Sequence, residues 1–423
     1  MNHDRIKRTI LENGLTILSE ENPHFFSVSI GLWFKGGVNQ ETYENNGISH
    51  FLEHMNFKGT SGRNYEQIAS YLECRGGQIN AFTSRENVCY YARILPEHLE
   101  EAMDILSDIT LHSIYPEEEI EKEKLIVLEE IRDVLDNPSD YIGDLFYETL
   151  FKDHCLGYQI LGNPDNINRF QRPDLQHYIS RHYAPNSLIL SACGPFQHQR
   201  LIELASRYLE FPSFAAQPAA EEPIPHQYRP QTAFHHHPSS QYHICIGLPV
   251  VPYHHHDKWP IILLNTLLGG GMSSLLFQEI REKLGIAYSI SSFADFYKPV
   301  GVWGVYWSTE KKNFKKSMAK VQEILSQLNE RYLTDELLTS AKNQIKGSIL
   351  MSQESVTNRM SRLVKSELYY GRIIPIEEVI RIIESIELDE VRDSVNRYLK
   401  GRSLSLAVIG NPKSAPTLEP MVI

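Results

Sequence analysis

The chain has 423 residues, and at about 100–200 residues per domain this length is enough for two or three domains. Asp and Glu (53 residues) outnumber Lys and Arg (41 residues), and the resulting net charge of −12 argues against binding to a nucleic-acid phosphate backbone. Hydrophobic residues make up 42% and charged residues 22% of the chain, which excludes an intrinsically disordered or collagen-like protein.

The cysteines and the first residues indicate a cellular compartment. The five cysteines are widely spaced, and no C-x-x-C pair occurs, which favours a reducing compartment over disulfides or a thiolate metal site. Residues 1–5 run into mixed charge without an apolar segment, so we expect no secretory signal. No stretch of about 18 apolar residues occurs either, so we expect a cytoplasmic protein without a membrane span.

Taken in chain order, the hydrophobic pattern predicts two similar series of elements. The first half contains strands at 15–18 and 27–34, helices at 48–57, 99–109 and 117–134, and a strand at 187–193. The second half contains a strand at 242–248, helices at 259–268 and 314–328, and a strand at 404–409. Met55 and Met272 are 217 positions apart, as are Tyr115 and Tyr332. This constant separation indicates one duplicated unit.

The two halves are joined by a segment rich in proline. Residues 211–230 contain five prolines and few large aliphatic side chains, which is typical of a linker. We therefore predict an N-terminal domain at 1–212, a linker at 213–230 and a C-terminal domain at 231–423. The blocks of helices and alternating strands predict an α+β fold with two homologous domains of about 210 residues. Each domain is expected to be a mostly antiparallel or mixed β-sheet packed by α-helices.

The first half contains a motif with metal-binding chemistry. Residues 47–60 read GISHFLEHMNFKGT and include H-x-x-E-H, formed by His50, Glu53 and His54. On a helix these three side chains fall within an arc of about 100°. Two imidazoles at i and i+4 suit a zinc ion, and the carboxylate beside them can take a proton from metal-bound water. Taken alone, the pattern also fits hydrogen-bonded histidines on a half-buried helix.

A third ligand must come from elsewhere, because a catalytic zinc site usually has three protein ligands and one open position. The predicted helix at 117–134 supplies candidates. Glu123 and Glu130 are two helical turns apart and share a face with apolar Ile120 and Val127. A carboxylate on an apolar face needs a partner, although glutamates in such a charged helix are also commonly solvated.

The motif and its surroundings resemble the pitrilysin/insulinase family of inverzincin peptidases, which carry H-x-x-E-H. More narrowly, the chain resembles the bacterial members of the mitochondrial processing peptidase-like branch. The resemblance covers essentially the whole chain, including the duplication and the linker. It rests on the motif segment, on GGQINAFTSRENVCYY at 76–91 and on GGGMSSLLFQEIREKLGIAY at 269–288.

The resemblance implies a zinc metalloendopeptidase with one Zn²⁺ per chain. His50, His54 and Glu130, which lies 76 positions after His54, would hold the ion. Glu53 would activate the zinc-bound water, and Glu123 would support the site. The substrates would be unfolded peptides or presequence-like segments cleaved inside a chamber.

The resemblance also assigns two sets of substrate contacts. Arg281 and Tyr288 would contact the substrate, and the phenol would stabilise the oxyanion. Without the resemblance, this pair would be interpreted as a surface arginine and a packed tyrosine. In the processing-peptidase branch two chains enclose the chamber, so a chain with both motifs implies a homodimer in which Arg281 and Tyr288 act in trans.

The second set of substrate contacts lies in the segment QINAFTS, which follows two glycines. If it forms a sheet edge beside the zinc, a peptide could pair with it as an added β-strand. The resemblance then implicates four consecutive residues, namely Asn80, Ala81, Phe82 and Thr83. The alternative interpretation is an ordinary interior strand.

Two further hypotheses belong to different classes of protein. The chain could be a non-catalytic core or assembly subunit of the same fold, although such subunits typically have a degraded zinc motif. It could also store metal through its two histidine runs at 235–237 and 254–256, which we expect to be surface loops without metal.

Overall fold

The computed structural model describes residues 5–211, 228–411 and 418–423, so most of the predicted linker, at 213–227, lies outside the described residues. The strands are β1 (Ile6–Ile10), β2 (Thr16–Glu21), β3 (Val28–Lys35), β4 (Gln78–Thr83), β5 (Asn87–Ile94), β6 (Leu188–Gly194), β7 (Thr232–His236), β8 (Gln241–Val250), β9 (Ser289–Phe296), β10 (Gly301–Glu310), β11 (Ser403–Gly410) and β12 (Met421–Val422).

The five helices predicted from the sequence, at 48–57, 99–109, 117–134, 259–268 and 314–328, are all present and begin within about two residues of their predicted starts. The helices of the structure are α1 (Ile48–Met55), α2 (Tyr65–Glu73), α3 (Leu99–Leu111), α4 (Glu117–Asp136), α5 (Pro138–Leu150), α6 (Pro164–Arg169), α7 (Arg172–His182), α8 (His198–Tyr208), α9 (Lys258–Gly269), α10 (Phe314–Ser326), α11 (Asp335–Ser352), α12 (Val356–Tyr370), α13 (Ile376–Ser385) and α14 (Leu388–Ser394). Among the described residues, no helix is long and apolar enough to cross a membrane.

The described residues form two compact units that exchange two segments of the chain. Unit 1 contains residues 5–131, 158–211 and 352–375. Unit 2 contains residues 132–157, 228–351, 376–411 and 418–423. Helix α5 therefore belongs to unit 2 although it comes from the first half of the chain, and α12 belongs to unit 1 although it comes from the second half.

The sheet of unit 1 has the strand order β1-β2-β6-β3-β5-β4. Its pairs are antiparallel except for β2 and β6, which run parallel. One face packs against α3 and α8, and the other face packs Trp33 and Ile189 against Met360 and Leu363 of α12. Strand β3 is buried on both faces, which explains its nearly continuous apolar sequence VSIGLWF.

The sheet of unit 2 repeats this arrangement. Its order is β12-β11-β8-β10-β9, and β7 pairs in parallel with β11. Helix α5 covers one face with Phe146, and α9 and α10 contribute to the core on the other face. The predicted α+β fold of two domains with mixed sheets packed by helices is therefore confirmed.

The first histidine run does not form the predicted loop. His235 and His236 end strand β7, which pairs with β11 through the register Ile409 to His235. The prediction was wrong because strand pairing depends on a partner some 170 positions away, which a histidine-rich segment does not reveal. The run at 254–256 lies, as predicted, in the turn between β8 and α9.

Candidate metal centre

Helix α1 is fixed at its start by a glycine and a buried carboxylate. Gly47 has a φ of 99°, and a Cβ there would lie 2.7 Å from the Cα of Gly162, so a side chain does not fit. The backbone N–H groups of Gly47 and Ser49 donate to the carboxylate of Glu41, at 2.8 and 2.9 Å. Glu41 is 5% exposed and caps the helix from seven positions upstream of Ile48. The polar face of α1 therefore has a defined orientation.

Three potential metal ligands meet beside this helix. The Oε2 atom of Glu130 on α4 lies 3.7 Å from Nε2 of His50 and 3.8 Å from Nε2 of His54. One ligand atom from each of the three residues lies within 4.8 Å of the other two. Tetrahedral zinc ligands at about 2.0–2.1 Å from the ion lie roughly 3.3 Å apart, so these positions suit a single ion after small side-chain movements.

The chemistry of the donor set also fits zinc. Burial, followed by the charge of His54, lowers the pKa of His50 to about 3, so this imidazole is neutral and can donate a lone pair. Burial alone would lower the pKa of His54, but the hydrogen bond and the charge of Glu123 have the larger effect and raise this pKa. A more basic imidazole donates its electron pair more readily to a metal ion. Two imidazoles and a carboxylate are a known ligand set of catalytic zinc.

Glu123 lies behind the ligands rather than among them. His54 Nδ1 donates to Glu123 Oε1 at 2.7 Å, so His54 Nε2 is left to face Glu130. Lys58 Nζ lies 2.6 Å from the other oxygen of Glu123, and the carboxylate is 2% exposed. Burial raises the pKa of Glu123, but the hydrogen bonds from His54 and Lys58 outweigh it and lower the pKa. This is the position that the resemblance implied for Glu123, and its role stays a prediction.

Glu53 is half-buried on the same helix face as the two histidines. Its Oε2 atom accepts a hydrogen bond of 2.6 Å from Oγ1 of Thr83 on β4. Burial raises the pKa of Glu53, although the hydrogen bond from Thr83 opposes this shift. The sequence analysis named Thr83 only as a strand residue that contacts substrate, and no sequence signal joined it to Glu53.

The strand β4 lies at the edge of its sheet and packs beside α1. In the described residues, β4 pairs with β5 on one side and with no strand on the other. Phe82 faces away from Glu53 and packs against Trp33, with the ring centroids 5.3 Å apart. Asn80 Oδ1 accepts the backbone N–H of its neighbour Ala81. Of the four predicted residues, Thr83 is thus the one whose side chain contacts Glu53.

The second predicted pair, Arg281 and Tyr288, lies in unit 2, whereas the three metal ligands lie in unit 1. Arg281 belongs to a short π-helical segment, Phe277–Glu282, and its guanidinium carbon lies 5.7 Å from the centre of the Tyr288 ring. Tyr288 is 74% exposed. The two side chains therefore form one exposed surface feature, and their roles stay predictions.

A second group of potential ligands is made up of His255, His256 and Asp257. Its donor atoms already have partners. Arg397 and Tyr398 both donate to the carboxylate of Asp257, and His255 Nδ1 accepts the backbone N–H of Asp257. An arginine beside the only carboxylate of this group disfavours a cation, so this group is a poor metal site.

Comparisons with known proteins show the family of the chain. The family model for the insulinase family (peptidase family M16) matches residues 16–164, and the model for the M16 inactive domain matches residues 169–345. A protein named as an uncharacterized zinc protease, YmxG of Bacillus subtilis, is 35% identical over 97% of this chain and 100% of its own length. Another protein with that description, from Streptomyces coelicolor, is 34% identical over 96% of this chain and 89% of its own length.

Solved structures share the fold. A protease from Helicobacter pylori superposes with a TM-score of 0.87 at 21% identity, covering 96% of this chain and 99% of that chain. An M16 inactive-domain protein from Pseudomonas fluorescens superposes with a TM-score of 0.90 at 18% identity, covering 99% of this chain and 100% of that chain. The chain is thus a member of a zinc peptidase family. It belongs to the insulinase family, peptidase family M16.

Proposed function

We propose that the chain is a zinc-dependent metalloendopeptidase that cleaves unfolded peptides or presequence-like segments inside a chamber. The observation that supports this most directly is the meeting of ligand atoms from His50, His54 and Glu130 within 4.8 Å of one another. Glu53 adds a carboxylate on the same helix face. The names of the relatives support the same reaction class, because they are called zinc proteases.

In this proposal one zinc ion, when bound, polarises the scissile carbonyl and makes a water molecule more acidic. His50, His54 and Glu130 would hold the ion. Glu123 keeps the His54 ring in one orientation, because its carboxylate accepts the Nδ1 proton and Nε2 then faces the ion. The chain therefore supplies both the ligands and the group that orients them.

In this proposal Glu53 carries out the proton transfers. Its carboxylate takes a proton from the attacking water molecule and then gives that proton to the leaving amine. A carboxylate does this only when it is held within hydrogen-bonding reach of both groups. Glu53 lies one residue before His54 on α1, so its carboxylate starts from the same helix as two of the proposed ligands.

The peptide binds as an added strand along β4 in this proposal. Main-chain hydrogen bonds recognise any extended segment, so unfolded peptides are favoured over folded proteins. The net charge of −12 favours basic segments if the acidic side chains line the chamber.

We place Arg281 and Tyr288 at the substrate from a second copy of the chain, in a homodimer with two equivalent sites. Their stacked arrangement and the exposure of the Tyr288 phenol leave a hydrogen-bond donor free for an oxyanion. These roles of Arg281 and Tyr288 rest on the family resemblance, and mixing two variant chains tests them.

The test is cleavage-site mapping on a peptide library together with metal analysis of the full chain. We expect one zinc per chain, cleavage that a chelator abolishes, and recovery when zinc is added back. A chain that binds one zinc and cleaves no peptide would instead be the non-catalytic subunit of the same fold. A chain that binds several metal ions and loses them when residues 235–237 and 254–256 are deleted would be the storage protein.

A further inference from the structure

Thr83 is the last residue of the edge strand β4, and its hydroxyl contacts the carboxylate that the proposed function assigns as general base. Oγ1 of Thr83 donates to Oε2 of Glu53 at 2.6 Å. We infer that Thr83 is a positioning residue for Glu53, so that β4 aligns the base as well as the peptide. This inference rests on the proposed function and adds a role that the sequence analysis did not give to Thr83.

The hydroxyl of Thr83 is held in place by the strand and by its own side chain. Thr83 pairs with Val88 of β5, and the backbone N–H of Ser84 donates to Asn87 O at 2.8 Å, which closes the β4–β5 hairpin. A β-branched side chain also has few χ1 rotamers on a strand. The donor is therefore fixed to the sheet rather than to a mobile loop.

Glu53 gains more from such a donor than a shorter side chain would. A glutamate has three rotatable bonds, and ordering it costs side-chain rotamer entropy. The bond from Thr83 holds Oε2 and leaves Oε1 for proton transfer. Without that bond, the carboxylate spends part of its time in rotamers that do not reach the attacking water.

The same strand carries the backbone groups along which the peptide is proposed to lie. Strand β4 then positions both the bound peptide and the carboxylate of Glu53. One rigid element therefore sets the distance between them. Removing the hydroxyl changes the position of the base but not the backbone that binds peptide. The expected defect is thus in kcat rather than in KM.

The chain offers well-matched variants for this test. Thr83→Val removes the hydroxyl and keeps the shape and strand preference, whereas Thr83→Ser keeps the hydroxyl. Thr339→Val is the control, because it makes the same change at an exposed threonine of α11, whose hydroxyl donates to Asp335 O at 2.7 Å. The probe is a fluorogenic version of the library peptide that the wild-type chain cleaves fastest.

For Thr83→Val we expect kcat to fall about 10- to 100-fold, with KM within about twofold of wild type. Thr83→Ser should recover most of kcat, and Thr339→Val should match wild type. All variants should retain one zinc per chain. The Glu53→Gln and Glu53→Gln/Thr83→Val chains should bind the uncleaved peptide with equal affinity, because the strand backbone is unchanged.

A wild-type kcat in Thr83→Val overturns the inference, and so does an equal loss in Thr339→Val. A rise in KM at unchanged kcat also overturns it, and would make Thr83 a substrate contact as the sequence analysis expected. Failure of the proposed function has a different signature, because the wild-type chain itself would then cleave no library peptide, and the role of Thr83 would fall with it.

Discussion

Helices α1 and α9 have equivalent places in the two units but carry different chemistry. Each follows the corresponding strand, β3 or β8, and packs against the edge strand, β4 or β9. At the offset of 217, His50, Glu53 and His54 correspond to Leu267, Gly270 and Gly271. The buried residues of α9 are largely leucine and isoleucine, such as Leu263 and Leu264.

The space between helix and edge strand differs as well. A Cβ on Gly269 of α9 would lie 2.1 Å from the backbone nitrogen of Ser292 on β9, so no side chain fits between them. In unit 1 the corresponding space holds the side chains of Glu53 and Thr83. The second unit therefore has the same arrangement of sheet and helices without counterparts of the three ligands, and the room for two polar side chains between helix and edge strand is a feature of unit 1.

The largest effect is expected for Glu53→Gln, which removes the proton acceptor and keeps the shape. Cleavage should fall by about 10²- to 10⁴-fold, the usual contribution of a general acid–base group, while one zinc per chain remains bound. Initial rates and metal content measure both quantities. Glu121→Gln, at an exposed glutamate of α4 that pairs with Lys124, is the control and should cleave at the wild-type rate. Wild-type cleavage by Glu53→Gln would show that the base is another residue.

The next effect compares the motif of α1 with the corresponding position in the second half, where Gly271 follows the end of α9. His54→Ala should weaken zinc binding by more than about 100-fold, because it removes a ligand. Loss of a residue that only hydrogen-bonds to a ligand usually has a smaller effect. Gly271→Ala at the corresponding position should leave zinc binding unchanged, since no atom lies within 4 Å of a Cβ there. Competition with a chelator of known affinity measures both. Equal zinc binding by His54→Ala and wild type would remove His54 from the ligand set.

A smaller effect tests whether unit 1 of one chain works with unit 2 of another. Glu53→Gln and Tyr288→Phe should each be nearly inactive alone. Mixed after subunit exchange, they should regain roughly a quarter of wild-type activity, because half of the dimers are mixed and each mixed dimer has one intact site of two. No recovery in a mixture shown to contain mixed dimers would contradict action in trans.

The smallest effect concerns stability. Met360 on α12 is 1% exposed against the sheet of unit 1, so Met360→Ala should lower the free energy of unfolding by about 2–5 kcal/mol. Met351→Ala is a control, because Met351 is 66% exposed, and should change it by less than about 0.5 kcal/mol. Hydrogen exchange should show faster opening of β3 and β5 in Met360→Ala. Faster opening confined to unit 2 would contradict the assignment of α12.

These results separate what local sequence predicts from what it does not. Helix α1 was predicted at 48–57 and spans Ile48–Met55, because its apolar spacing is a local property. Leu125 lies in the helix predicted at 117–134 and is 69% exposed, whereas Ile120 and Val127 of the same helix are buried. Apolar and charged residues are mixed around that helix, so the spacing alone does not determine which apolar side chains face the core.

The sequence pattern did not predict contacts between elements that are far apart in the chain. The pairing of Thr83 with Glu53 depends on the distance between β4 and α1, which no local pattern encodes. The exchange of α5 and α12 is similar, because an amphipathic helix shows that it packs on a sheet but not on which of two similar sheets. By contrast, the motif and the family resemblance pointed to Glu130 and Glu123, and both glutamates lie at the candidate site.

The place of α12 in unit 1 also has a consequence for synthesis on the ribosome. Helix α8 ends at Tyr208, and α12 ends at Tyr370, which is 162 residues later. At about 5–20 residues per second, translation of that interval takes roughly 8–30 s. Throughout that time α12, the helix that packs against Trp33 and Ile189 in the described part of the chain, has not been completed. A nascent chain of this protein therefore presents an apolar surface on which chaperones that follow translation can act.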